Sequence, residues 1–209
     1  MEKNPAALSE NNTQNPDKFG LDRLVFFNDA VFAIAITLLA LDIHLPETIA
    51  DTSDAGLFNS LLNIWPKILG FGISFLVIGA FWRSHHRMFQ RVINYDSKLI
   101  LINLFLLMSI CFVPFPTSVL SEYGNRTATI LYAVNMAVIG YLMLAIWLYA
   151  SKNGRLLDRP NTRREQTLTI IRLSITPTVF LLSIGLAFIT PDLAKYSWLT
   201  ILAIRLIKY

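Results

Sequence analysis

Residues 25–45 read VFFNDAVFAIAITLLALDIHL, and Pro46 follows. A helix crossing the hydrocarbon core of a bilayer needs about 20 mostly apolar residues. This run is long enough, and a proline ends it by removing a backbone donor. It also carries Asp29, Asp42 and His44. Ionisable side chains inside a membrane helix are costly, so each one is a candidate for function.

Outward from this run the pattern repeats five times. Apolar stretches at 64–82, 99–120, 128–150, 170–189 and 193–209 are the further predicted spans. Lys67 lies near one end of the second and can snorkel to the headgroups. Pro114 and Pro116 predict a kink or unwinding at the end of the third. The fourth holds one amide, Asn135, and no charge. Pro177 falls inside the fifth, a break that a helix bundle tolerates. The sixth is short and contains Arg205, so it spans if Arg205 and Lys208 snorkel. The fold class expected is all-α integral membrane with six transmembrane helices per subunit.

Composition agrees with this reading. Hydrophobic residues make up 54% of the chain and charged residues 15%, with a mean hydropathy of +0.51. A soluble domain carries about a quarter charged residues. Residues 1–20 are polar and rich in Asn and Pro, with no apolar core; they read as a tail rather than a signal peptide. The domain division is therefore a tail over 1–20 and a membrane domain over 21–209. The chain's single cysteine, Cys111, excludes an intrachain disulfide.

The net charge of +4 resolves into topology. Fifteen of the 18 Lys and Arg fall in the tail, in the segments after spans two and four, and at the C-terminal end. Lys67, Arg126 and Lys195 are the three on the other side. The positive-inside rule then puts both termini in the cytoplasm. The same distribution makes a nucleic-acid partner an unneeded explanation.

On the first span, Ile34, Leu38, Leu41 and Leu45 share one helical face, with Thr37 beside it. Ala30, Ala33, Ala35 and Ala40 permit close helix approach. Periodicity alone favours packing or lipid contact over a pore for this stripe.

The motif Arg23-Leu-Val-Phe-Phe27-Asn28-Asp29 adds weight to the pore. With the helix after it, it resembles the first helix of the transmembrane protein 175 family of lysosomal and bacterial potassium channels, whose signature is Arg, three residues, then Phe-Ser-Asp. Asn28 stands at the serine position. The resemblance extends to Trp82-Arg-Ser-His-His86, to Asn103 and to the Pro114-Phe-Pro-Thr segment. It implies a bacterial-type homotetramer of single six-helix repeats in the cell membrane, conducting potassium. It further implies that the first helix lines the pore, with Ile34, Leu38 and Leu41 as constriction and gate and Thr37 as the selectivity residue. Permeant potassium would pass near Ile34 and Thr37, and no cofactor or structural metal is expected.

The chain has no TVGYG segment, so a carbonyl cage is excluded. A ring of Ile34 side chains would gate by dewetting, and modest selectivity for potassium over sodium is the expectation. The Thr37 hydroxyl can offer lone pairs to an ion, or bond back to the Ala33 carbonyl. Arg23, Phe27, Asn28 and Asp29 are expected to anchor the first helix, with Trp82, His86 and Asn103 as candidate partners. A rival reading is a proton-coupled transporter using Asp29 and His86, with Asp42 and His44 extending the relay. An enzyme finds no support: HExxH, GxSxG and Cys/His metal spacings are absent. The basic loop 152–164 is a candidate for anionic lipid, although an inside-positive loop explains it.

Overall fold

The structure, a computed structural model, describes residues 16–45 and 53–207. α1 (Pro16–Leu38) begins inside the stretch expected as a tail and runs on as a 3-10 turn, Leu39–Asp42. The remainder of that tail, Pro46 and Lys208 lie outside the described residues, as does the side chain of Arg205. One face of α1 is buried: Leu21, Asn28, Phe32, Ala35 and Leu39 recur at helical spacing.

A short helix not anticipated from sequence follows. α2 (Asp54–Asn63) is capped by Ser53 Oγ, which accepts from Gly56 N at 3.2 Å. None of its residues is buried, and Leu57, Phe58, Leu61 and Leu62 are exposed. α3 (Trp65–Phe89) extends two turns beyond the expected end at Trp82, so Arg83, His85, His86 and Arg87 are helical.

α4 (Ser97–Phe112) starts from an Asp96 cap, and α5 (Pro114–Tyr123) restarts the helix at the predicted proline break. Gly124, at φ 58°, ends α5 in the left-handed conformation that glycine adopts without steric cost. α6 (Arg126–Ser151) is capped by Asn125, and α7 (Arg163–Ala187) by a capping box of Thr162 and Glu165. α8 (Pro191–Ile207) closes the described chain.

Five stretches are long and apolar enough to cross a membrane: Gly20–Asp42, Trp65–Phe89, Ser97–Tyr123, Arg126–Ser151 and Arg163–Ala187. α8, at 17 residues, is shorter. It packs on α7 and α6, where Trp198 Nε1 donates to Ser183 Oγ at 2.9 Å. Trp198 also meets the rings of Tyr132 and Phe180 at 5.1 and 5.4 Å.

The helices form two groups. α1 packs on α3 and α4, and α3 packs on α5; α7 packs between α6 and α8. The groups join where α4 and α5 meet α6. α6 is the most buried helix because it serves both groups. Pro177 sits against Gly140: a Cβ there would lie 2.7–2.9 Å from the proline ring, so only glycine leaves room. Ser74 Oγ of α3 lies 2.9 Å from Thr117 Oγ1 of α5 and, across to α6, 3.3 Å from the Tyr132 hydroxyl.

At the basic end the loop after α6 folds back onto the α3–α4 turn. Ile93 N donates to Leu156 O and Asp158 N to Arg91 O, both at 2.9 Å. Arg91 pairs with Asp158 at 3.2 Å and donates to Asn161 Oδ1 at 2.7 Å. Asp96 accepts from the Tyr149 hydroxyl at 2.6 Å and from Leu99 N at 2.9 Å, and it pairs with Arg155. These donors, the tyrosine first, hold its carboxyl down at about 2. Arg91, Arg155 and Arg159 thus have acidic partners within the protein.

Candidate functional site

α1 presents two unlike faces. On the buried face, Asn103 Nδ2 of α4 donates to Asn28 Oδ1 at 2.7 Å. Asn103 Oδ1 lies 2.9 Å from His85 Nε2 of α3. An amide oxygen only accepts, so His85 Nε2 carries the proton and donates. The imidazole is held between aromatic rings, with Phe32 at 5.6 Å and Phe89 at 4.3 Å. Asn28 and Asn103 are 0% exposed. Three helices are therefore joined by one polar chain in an apolar interior. Asn28 Nδ2 is left without a partner.

Beside this chain, Trp82 Nε1 donates to Asp29 Oδ1 at 2.8 Å. The Trp82 ring stacks on His86 at 5.5 Å, and Gln90 Nε2 donates to His86 Nε2 at 3.0 Å. The expected anchoring set thus divides into two clusters. Asn28 and Asn103 belong to the buried one, and Asp29, Trp82 and His86 to a half-exposed one. Arg23 and Phe27 lie exposed at the same end of α1.

Asn103 meets His85, a residue outside the expected set, while His86 stacks on Trp82, which bonds Asp29. Ser74, Ile78, Phe81, His85 and Met88 are the buried positions of α3 at helical spacing, and that period is the signal that singles out His85. His86 is one residue on and faces the neighbouring stripe with Trp82.

On the other face of α1, Ile34, Leu38 and Leu41 are 56%, 40% and 75% exposed. Thr37 is exposed with them, and its Oγ1 donates to Ile34 O at 2.8 Å. The carbonyl engaged is Ile34, one residue past the expected Ala33; a threonine in a helix reaches either the i−3 or the i−4 oxygen. With its proton committed, the hydroxyl keeps lone pairs for another partner.

The four residues of the supposed relay are not brought together. Asp42 Oδ1 accepts from Ser118 Oγ of α5 at 2.7 Å, about 20 Å of helix away from Asp29. The His44 ring lies 3.3 Å from the adjacent Leu45 carbonyl. Among the described residues no three His, Cys, Asp or Glu side chains are grouped to hold a metal ion.

The stretch that holds both faces of α1, with α3 and α4, matches known channels. Residues 23–114 match the family model described as endosomal/lysosomal potassium channel TMEM175. A potassium channel of Streptomyces collinus is 36% identical over 82% of this chain and 84% of its own length. A potassium channel of Chamaesiphon minutus is 37% identical over 84% of this chain and 88% of its own. The chain belongs to the TMEM175 family.

The crystal structure of a lysosomal potassium-selective channel TMEM175 homolog from Chamaesiphon minutus superposes with a TM-score of 0.78. It is 34% identical, over 90% of this chain and 97% of that one. The family consists of ion channels rather than enzymes. One eukaryotic member, from Danio rerio, is named an endosomal/lysosomal proton channel. It is 30% identical over 84% of this chain, which spans 36% of its length.

Proposed function

We propose that this TMEM175-family chain is one of four identical subunits of a potassium channel in a bacterial cell membrane. Each subunit contributes six spans, α8 being the last, and both termini are cytoplasmic. α1 lines the pore. Ile34, Leu38 and Leu41 form apolar layers that block ions when narrow, and Thr37 supplies oxygen ligands at the same level. Potassium is favoured over sodium because it loses its water more cheaply in a pore with few ligands. The preference is modest, since no multi-oxygen cage is present.

The observation that carries this reading is the inversion of α1. Asn28 and Asp29 bond to neighbouring helices of the same subunit, while Ile34, Leu38 and Leu41 are left uncovered. Relatives called potassium channels at 36% and 37% identity support the choice of ion.

A second reading, proton-coupled transport through Asp29 and His86, draws on their shared contact with Trp82. The separation of Asp42 and His44 from that cluster weighs against it. Purified protein in planar bilayers, with potassium opposite sodium, discriminates the two. A reversal potential favouring potassium, with current increased by Ile34→Asn, is expected for the channel. Absence of current from both forms, together with proton-driven uptake in vesicles, would move the assignment to a transporter.

A further inference from the structure

Away from α1, a cavity of about 400 Å³ opens between α4 and α6, lined by Met108, Ser109, Cys111, Phe112 and Asn135. It lies near the middle of both spans, Ser97–Tyr123 and Arg126–Ser151. Met108, Cys111 and Phe112 are exposed, so the opening faces outward from the subunit. Its volume falls within the range of small-molecule sites.

The polar chemistry of this cavity is unbalanced. The Ser109 hydroxyl is committed to the Phe105 carbonyl at 2.9 Å. Asn135 is 7% exposed, and its Nδ2 has no hydrogen-bond partner. An amide donor in an apolar surrounding is costly unless an acceptor meets it. Asn135 lines the cavity, and a half-turn about its last side-chain bond exchanges the amide nitrogen and oxygen without moving the helix.

We infer that this cavity binds a bilayer-dissolved amphiphile, an alkyl chain with one carbonyl or ether oxygen, whose oxygen accepts from Asn135 while the chain lies against Met108, Cys111 and Phe112. A cavity of this volume admits on the order of a dozen carbon atoms. An uncharged acceptor oxygen fits because the Asn135 amide nitrogen offers unpaired N–H donors and no charged group lines the wall.

The test is photolabelling of the full chain in lipid vesicles with an alkyl-diazirine derivative of 2-dodecanone, and mapping of adducts by mass spectrometry. Adducts are expected on the peptides holding residues 108–112 and 135. Excess 2-dodecanone should remove them and an equal amount of n-dodecane should not. Asn135→Leu should reduce them about fivefold, the loss of one hydrogen bond. Met108→Trp, which fills the opening from its exposed side, should abolish them while leaving the amide in place, and it keeps the test valid if the Asn135 variant fails to fold. Three results would overturn the inference. Adducts spread evenly over the outward-facing helices would mean no site. Equal competition by dodecane would mean a crevice without polar recognition. Absence of adducts here in the assembled protein would mean that another subunit covers the cavity.

Discussion

The two faces of α1 follow opposite rules. The face that packs inside the subunit holds Asn28, bonded through Asn103 to His85. The face left open holds Ile34, Leu38 and Leu41. In water the apolar face would turn inward and the polar one outward. In a bilayer apolar exposure is free of cost, whereas an unpaired amide costs several kcal/mol. The polar chain therefore fixes where α1 sits, and the apolar face is left open.

The largest effect expected from breaking this arrangement lies on the polar face. Asn103→Leu strands both Asn28 Oδ1 and the His85 Nε2 proton. At about 1–3 kcal/mol for each stranded group, the loss should be about 2–6 kcal/mol. Thermal unfolding of the purified protein should show a clear fall in midpoint, while the potassium-to-sodium ratio of surviving channels stays near that of the native protein. An unchanged midpoint would mean that the polar chain does not hold α1.

Substitution on the open face should do the reverse. Thr37→Val removes a hydroxyl whose only described bond is to its own helix. Stability should change by less than about 0.5 kcal/mol, as for surface sites generally. The potassium-to-sodium ratio, read from the reversal potential, should fall a few-fold. An equal loss of stability at the two sites would erase the distinction between the faces.

How much of this could be read in the sequence follows from what each signal encodes. Hydropathy and prolines located the spans of α3 to α7, because backbone satisfaction in lipid leaves few choices. The α3 terminus was missed by two turns: Arg83, His85, His86 and Arg87 are polar, yet the helix continues through them because His85 is buried. α2 escaped because it is too short to span. Asp29, Trp82 and Asn103 were legible as a polar set, but their division into two clusters depends on which face of α3 each helix meets. The Asn135 cavity left no mark in the sequence beyond a lone amide.

A smaller effect is expected in the half-exposed cluster between the two faces. Trp82→Phe keeps the ring over His86 and loses only the bond to Asp29. About 1 kcal/mol should be lost. Asp29→Ala should impair assembly or gating, measured by tetramer yield and open probability, more than it changes selectivity. Normal assembly and gating in that variant would remove Asp29 from the anchoring set.

The smallest effect belongs to polar contacts outside the spans, and it sharpens the contrast with the buried chain. Asp96 pairs with Tyr149 and Arg155 at a partly exposed site, and its carboxyl is held down at about 2, mainly by the Tyr149 hydroxyl and the Leu99 N–H. A carboxyl depressed in the folded state contributes stability above its unfolded value, about 3.9. That contribution fades as the pH falls through about 4 and is gone below about 2. Unfolding midpoints measured from pH 6 down to 3 should therefore decline slightly more in the native protein than in Asp96→Asn, which cannot titrate. Water screens this site, so the difference should be small beside that of Asn103→Leu. The same tyrosine and arginine that hold the carboxylate compete with solvent for it, whereas inside the bundle His85 and Asn28 have no solvent to turn to. If the two losses were equal, the buried chain would contribute no more than a solvent-screened clasp, and the contrast between the two sites would fail.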